Sequence, residues 1–203
     1  MTVPQVLGIP GASVESGDHL CAFYRGLAER DEILLPYLRA GLHAEEKCIC
    51  IIDASEPSVV LDRIGDGIDV DGCVASGQLE VRTSDETYFR TGGFSIAEMV
   101  EFWDAAVGGA ITGGRFSCSR AVGEMSWALR DAPGVDLLVD YESEINRFAP
   151  QYPQLLLCLY DLERFGGEIV VELLKTHPKM LVSGMVLENP YYQPPDEFSA
   201  RRR

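Results

Sequence analysis

LLLCLYD, residues Leu155 to Asp161, is an almost wholly apolar run that stops on an aspartate. A strand buried on both faces of a sheet reads this way, and its final acid stands at the edge of a polar crevice. In folds that hydrolyse nucleotides, an acid at that place holds magnesium, and it is useful only beside a glycine loop that cradles phosphates. Neither G-x-x-x-x-G-K-[ST] nor G-x-G-x-x-G occurs in the 203 residues. The expectation is a nucleotide-type scaffold that binds something and does not hydrolyse it.

Working outward from this strand, the segment before it, Val135 to Phe148, reads as a helix with Val135, Leu138, Val139, Glu142 and Ile145 on one side. After it come a helix over Glu168 to Thr176 and one strand, Met180 to Leu187, ahead of the proline-rich ENPYYQPPDEF. Further upstream, HLCAFY (His19 to Tyr24) and CICIID (Cys48 to Asp53) are apolar strand runs, with Leu79 to Arg82 and Arg115 to Val122 as two more. Ile33 to Leu42 has helical spacing but contains Pro36, so the helix either begins within a turn of the proline or bends there. Ser55 as N-cap with Pro57 opens a helix to Ile64, and Ser95 with Glu98 forms a capping box for a helix stopped by Gly113 and Gly114. Gly65 to Gly77 and Thr83 to Gly93 read as loops. Strands alternating with amphipathic helices predict an α/β fold, a mostly parallel sheet with helices on both faces.

Composition narrows the function. With 46% apolar residues the chain can build a sizeable core, and no stretch is apolar and long enough to span a bilayer. The N-terminus lacks a basic start followed by an apolar block, so the expected location is cytoplasmic. A net charge of −15 repels nucleic acid and anionic lipid, so neither is an expected partner. The six cysteines form no C-x-x-C pair and read as buried, reduced thiols. Residues 1–17 are expected to be a flexible lead, 18–198 one domain, and 199–203 a basic tail. No cofactor is called for.

Ligands of such sheets bind outside the carboxyl ends of the strands. There the sequence collects Phe23, Tyr24, Arg25, Asp53, Glu124, Met125, Trp127, Tyr160, Asp161 and Arg164, a set rich in aromatics and acids. It suits an apolar or aromatic small molecule held in one cavity ringed by Tyr24, Trp127 and Tyr160. Each residue also has a plainer role: core packing for the tyrosines, a hydrophobic lid for Trp127, a turn cap for Asp161, and pairing with Arg130 or Arg164 for Glu124. Two further readings stand beside the first. One is residual NTP binding or hydrolysis through Asp161 and Glu124; the other is a metal or redox sensor through His19, Cys21 and His177.

GDHLCAFY (Gly17 to Tyr24), KCICIID, GEMSWALR (Gly123 to Arg130), LYD (Leu159 to Asp161), THP (Thr176 to Pro178) and ENPYY (Glu188 to Tyr192) together resemble the MEDS domain, a sensory domain of methanogen and methylotroph regulators. The resemblance implies a RecA-like fold, akin to the circadian-clock ATPases, that has lost its phosphate loop, a degenerate P-loop NTPase-like scaffold. It further implies a non-enzymatic role in sensing small hydrocarbon derivatives. It favours His19, Tyr24, Glu124, Trp127, Tyr160, Asp161 and His177 as the ligand-binding positions. Many members join the domain to a DNA-binding helix-turn-helix or a histidine-kinase module, and residues 194–203 hold neither. The expected route for the signal is therefore a separate partner such as a kinase or an anti-sigma system. The tyrosine-rich C-terminal stretch reads either as a homodimer contact or as a segment folded back on its own sheet.

Overall fold

The computed structural model describes residues 4–9, 13–65 and 67–201. Strands β1 (His19–Tyr24), β2 (Lys47–Ile52), β3 (Leu79–Thr83), β4 (Ser119–Glu124), β5 (Gln154–Asp161), β6 (Lys179–Val182) and β7 (Met185–Glu188) form one sheet in the order β3-β2-β4-β5-β1-β6-β7. All neighbours are parallel except the final pair, β6 and β7. The mostly parallel α/β sheet read from the sequence is therefore the fold.

Helices α1 (Gly26–His43), α2 (Pro57–Ile64) and α3 (Val70–Ala75) precede α4 (Ile96–Trp103), α5 (Leu138–Phe148), α6 (Gly167–Leu174) and α7 (Pro195–Arg201). Side chains alternate across β5: Leu155, Leu157 and Leu159 pack with α1 and α2 on one face, while Leu156, Cys158 and Tyr160 pack with α4, α5 and α6 on the other. Two cores thus flank a central sheet whose inner strands β2, β4 and β5 are buried along their whole length. The β1–β5 register, with Cys21 opposite Cys158 and Phe23 opposite Tyr160, sets His19 and Cys21 beside Cys158 and Tyr160 on the second face.

Several boundaries differ from the sequence reading. Helix α1 starts ten residues before Pro36, which lies inside it; Gly8, at φ +86°, lets the N-terminal chain approach the Pro36 carbonyl so closely that any Cβ there would collide with it. Within the expected flexible lead, Pro4–Val6 pairs antiparallel with Ser13–Glu15, and Leu7 and Val14 are buried in the first core; residues 1–3 and 10–12 lie outside the described residues. Of the expected basic tail, residues 199–201 end α7, and Arg202 and Arg203 lie outside the described residues. The single strand expected over Met180 to Leu187 is a hairpin, because Ser183 and Gly184 both take positive φ, 50° and 73°, as a tight two-residue turn requires.

The expected loops hold α3, capped by Asp69, and a short helix Ser84–Thr87 closed by a Thr83–Glu86 capping box. Ser55 does not cap α2, whose N-cap, Glu56, makes no side-chain cap; the Ser55 hydroxyl accepts from Arg30 instead. The box at Ser95 is half formed: Ser95 accepts from the Glu98 amide, while the Glu98 carboxylate accepts from Thr91. No helix among the described residues is long and apolar enough to cross a membrane.

Candidate functional site

The expected site residues divide between the two faces of the sheet, so Tyr24, Trp127 and Tyr160 do not ring one cavity. Tyr24 belongs to the α1 side, Tyr160 and Trp127 to the other. Strand alternation explains the separation: Tyr24 follows Leu20 and Ala22 on one pleat, and Tyr160 follows Leu156 and Cys158 on the opposite one. Trp127 is fully buried, 4.5 Å from the Tyr88 ring and 4.4 Å from that of Phe94, which is core packing.

On the α1 side, Glu124 is surrounded by donors. The Tyr24 hydroxyl donates to its Oε1 at 3.2 Å, the amides of Asp53 and Ala54 donate to Oε2 at 2.7 and 2.9 Å, and Arg30 approaches at 3.5 Å. Arg30 also donates twice to Asp31, at 2.9 and 2.7 Å, and Asp31 meets Arg63. Burial and the adjacent Glu124 push the Tyr24 phenol well above its usual pKa, so it stays a neutral donor. Arg130, expected as a partner for Glu124, pairs with Asp53 and Asp85.

Asp161 Oδ1 accepts from the amide of Gly26, the first residue of α1, at 3.3 Å and from that of Glu163, in the turn after β5, at 3.0 Å. Glu29 accepts from the Arg25 amide at 2.8 Å. In strand–loop–helix phosphate sites the first amides of the helix hold the anion. Here the protein's own carboxylates hold the amides of Arg25 and Gly26, where α1 begins. Outside them, at the carboxyl ends of β1 and β6, lies a cleft of about 550 Å³ lined by Phe23, Tyr24, Ile33, Leu162 and Val182 together with Arg25, Glu29 and Glu32.

On the second face, four side chains converge. His19 Nε2 lies 3.2 Å from Glu142 Oε2 and 3.4 Å from Cys158 Sγ; Cys158 Sγ is 3.4 Å from Glu142 Oε2, and His177 Nε2 is 3.3 Å from it. All four atoms fall within 4.8 Å of one another, and the His19 and His177 rings stand 4.4 Å apart. Strands β1 and β5 supply His19 and Cys158, α5 supplies Glu142, and the turn after α6 supplies His177. Tyr160 donates to Glu142 Oε1.

The outer partners orient these groups. The Asn146 amide nitrogen donates to the carbonyls of Glu142 and Thr176, at 3.0 and 2.6 Å, which turns its oxygen toward His19 Nδ1 at 3.2 Å. His177 Nδ1 lies 2.8 Å from the Leu173 carbonyl. Asn189, of the ENPYY motif, donates to the carbonyls of Leu174 and His177 at 2.5 and 2.7 Å and so fastens the THP turn. Burial and the neighbouring His177 push His19 below the usual imidazole pKa. Burial opposes ionisation of Glu142, but the contacts with His177 and His19, when those rings are protonated, outweigh it and hold the carboxyl well below the usual range. Burial and Glu142 push the Cys158 thiol well up.

The sequence reading grouped His19 and His177 with Cys21. The histidines do meet, but Cys158 supplies the sulfur at the centre, and the Cys21 thiol donates to the Lys179 carbonyl at 3.8 Å. Glu142, Cys158 and Asn146 were not among the expected site residues. The signal for Glu142 was present, since a carboxylate on the apolar side of a helix is costly to bury unless something pairs it. Nothing local distinguished Cys158 from the other strand cysteines.

At 29% identity over 175 residues, covering 83% of this chain, the sequence is similar to the transcriptional repressor DcmR of Methylorubrum extorquens; the chain spans 61% of that relative's length. In structure it is similar to a KaiC-like protein of Pyrococcus horikoshii OT3, with a TM-score of 0.61 over 89% of this chain and 80% of the other, at 10% identity, a likeness of fold alone. The model of the methanogen/methylotroph, DcmR sensory domain matches residues 18–178, and the chain belongs to that MEDS family, a sensory domain on a RecA-like, KaiC-like scaffold.

Proposed function

We propose that this domain senses a small organic molecule, apolar or aromatic in its body, bound in the cleft between β1 and β6, and passes its state to a separate regulatory partner. The observation that carries this reading is the pairing of that cleft with the Arg25 and Gly26 amides, at the start of α1, already held by Glu29 and Asp161. A phosphate entering there would meet the carboxylates of Glu29 and Glu32, which penalises nucleotides electrostatically. Apolar side chains of Phe23, Ile33, Leu162 and Val182 offer a surface for an uncharged body, and Arg25 and Tyr24 offer polar orientation. Glu124 spends both oxygens, and Asp161 its Oδ1, on internal donors, which favours binding over hydrolysis. The kinship with a transcriptional repressor points to control of transcription as the output.

Thermal-shift screening tests the reading. Apolar and aromatic compounds are expected to raise the melting temperature; a ligand at 100 times its Kd adds about 2.7 kcal/mol. The substitution Val182→Arg, which fills the cleft, should abolish the shift. Stabilisation by magnesium nucleotides with none by organic compounds would overturn it, and so would a shift that survives Val182→Arg.

A further inference from the structure

We propose that His19, Glu142, Cys158 and His177 form a binding site for one divalent transition-metal ion of the zinc class. His177 Nδ1 faces only acceptors or a hydroxyl, the Leu173 carbonyl at 2.8 Å and Thr176 Oγ1 at 3.2 Å, and Thr176 Oγ1 itself lies 2.9 Å from that same carbonyl. In the neutral ring the proton therefore belongs on Nδ1, and Nε2 carries a lone pair. For His19 the amide oxygen of Asn146 plays the same part, and its orientation follows from the two carbonyls that Asn146 serves. Both Nε2 lone pairs then point at Glu142 Oε2, an acceptor only.

The Tyr160 proton goes to the other carboxylate oxygen, Oε1, and does not enter the centre. A single thiol hydrogen, that of Cys158, remains for three acceptors: His19 Nε2, His177 Nε2 and Glu142 Oε2. His177 Nε2, though fully buried, makes no hydrogen bond among the described residues. Uncompensated buried lone pairs in close contact are costly, and a cation at their common point removes the cost.

The distances agree with such an ion. Bonds of about 2.0–2.3 Å in a tetrahedron separate neighbouring ligand atoms by roughly 3.3–3.7 Å. Four of the six separations run from 3.2 to 3.4 Å, and the other two, from His177 Nε2 to His19 Nε2 and to Cys158 Sγ, lie within 4.8 Å. Charge agrees as well: a dication with one carboxylate and one thiolate is neutral as a unit, which suits a site this deeply buried. Two imidazoles, a thiolate and one carboxylate oxygen match the borderline-soft preference of zinc, and imidazoles whose outer nitrogens are held by carbonyl oxygens are the usual supports of metal ligands. With four protein ligands the site is closed, so its role is to hold β1, β5, α5 and the THP turn together, or to report metal occupancy through them.

The centre shares no lining residue with the cleft, and either proposal can fail without the other. The test is metal analysis of the whole chain purified without chelator, followed by titration with cobalt(II) chloride. The expected result is about one equivalent of zinc, or of cobalt after exchange, with a near-ultraviolet thiolate charge-transfer band and the visible bands of a tetrahedral cobalt ion. Cys158→Ser should abolish the charge-transfer band, and His177→Ala should lower metal content. Should His177→Ala fail to fold, the band in the unaltered protein and its loss in Cys158→Ser decide the matter. Less than about a tenth of an equivalent in folded protein overturns the proposal. Cobalt that binds without a thiolate band, or equally in Cys158→Ser, also overturns it.

Discussion

Glu124 and Glu142 are both buried carboxylates beside the central sheet, on opposite faces, and their surroundings are inverted. Every close neighbour of Glu124 is a donor: a phenol, two backbone amides and a guanidinium. Glu142 has one dedicated donor, Tyr160, and otherwise faces two imidazole nitrogens and a thiol. The contrast separates two uses of a buried charge. Where donors saturate it, the charge ties loops to strands, here the β2–α2 connection to β1 and α1. Where acceptors crowd it, the arrangement is complete only with a cation.

The largest effect expected from this contrast is on the saturated side. Glu124→Ala strands Tyr24, two amides and part of Arg30, and should cost about 3–5 kcal/mol in equilibrium urea unfolding. A cost under about 1 kcal/mol would mean that water replaces the carboxylate and that Glu124 is no keystone. Next comes metal on the other face: free zinc at 100 times its Kd should stabilise the protein by about 2.7 kcal/mol, and the gain should vanish in His177→Ala. An equal gain in both proteins would place zinc elsewhere.

Smaller effects sharpen the comparison. Tyr160→Phe removes the sole dedicated donor to Glu142 and should cost about 1–3 kcal/mol, whereas Tyr24→Phe leaves Glu124 three other donors and should cost about 0.5–1.5 kcal/mol. Reversal of that order in urea midpoints would contradict the assignment of donors. Smallest of all is Glu142→Gln in metal-free protein, expected within about 1 kcal/mol of the parent, because the new amide donates where lone pairs crowd. A loss as large as that of Glu124→Ala would show a Glu142 already compensated by protonated histidine.

The strands and helices around β5 were legible because apolar runs and helical spacing report burial directly. LLLCLYD, HLCAFY and CICIID all fall where they were read, and the face of α5 carrying Leu138, Glu142 and Ile145 is the buried one. The hairpin at Ser183-Gly184 was missed because MLVSGMVL is apolar throughout, although the Ser-Gly pair is a turn signal. The site was legible only in part. His19, Tyr160 and His177 do gather, but their shared partner Glu142 comes from a different helix, and no spacing within the chain reveals a meeting that the sheet register creates. The single aromatic cavity failed for a simpler reason. The strand ends share one edge of the sheet, but Tyr24 and Tyr160 follow opposite pleats.

The most direct measurement is anomalous diffraction above the zinc edge from crystals grown with zinc chloride. The account predicts one strong peak about 2.0–2.3 Å from His19 Nε2, His177 Nε2, Glu142 Oε2 and Cys158 Sγ. Well-ordered density with direct imidazole–carboxylate hydrogen bonds and no anomalous peak between these atoms would contradict it.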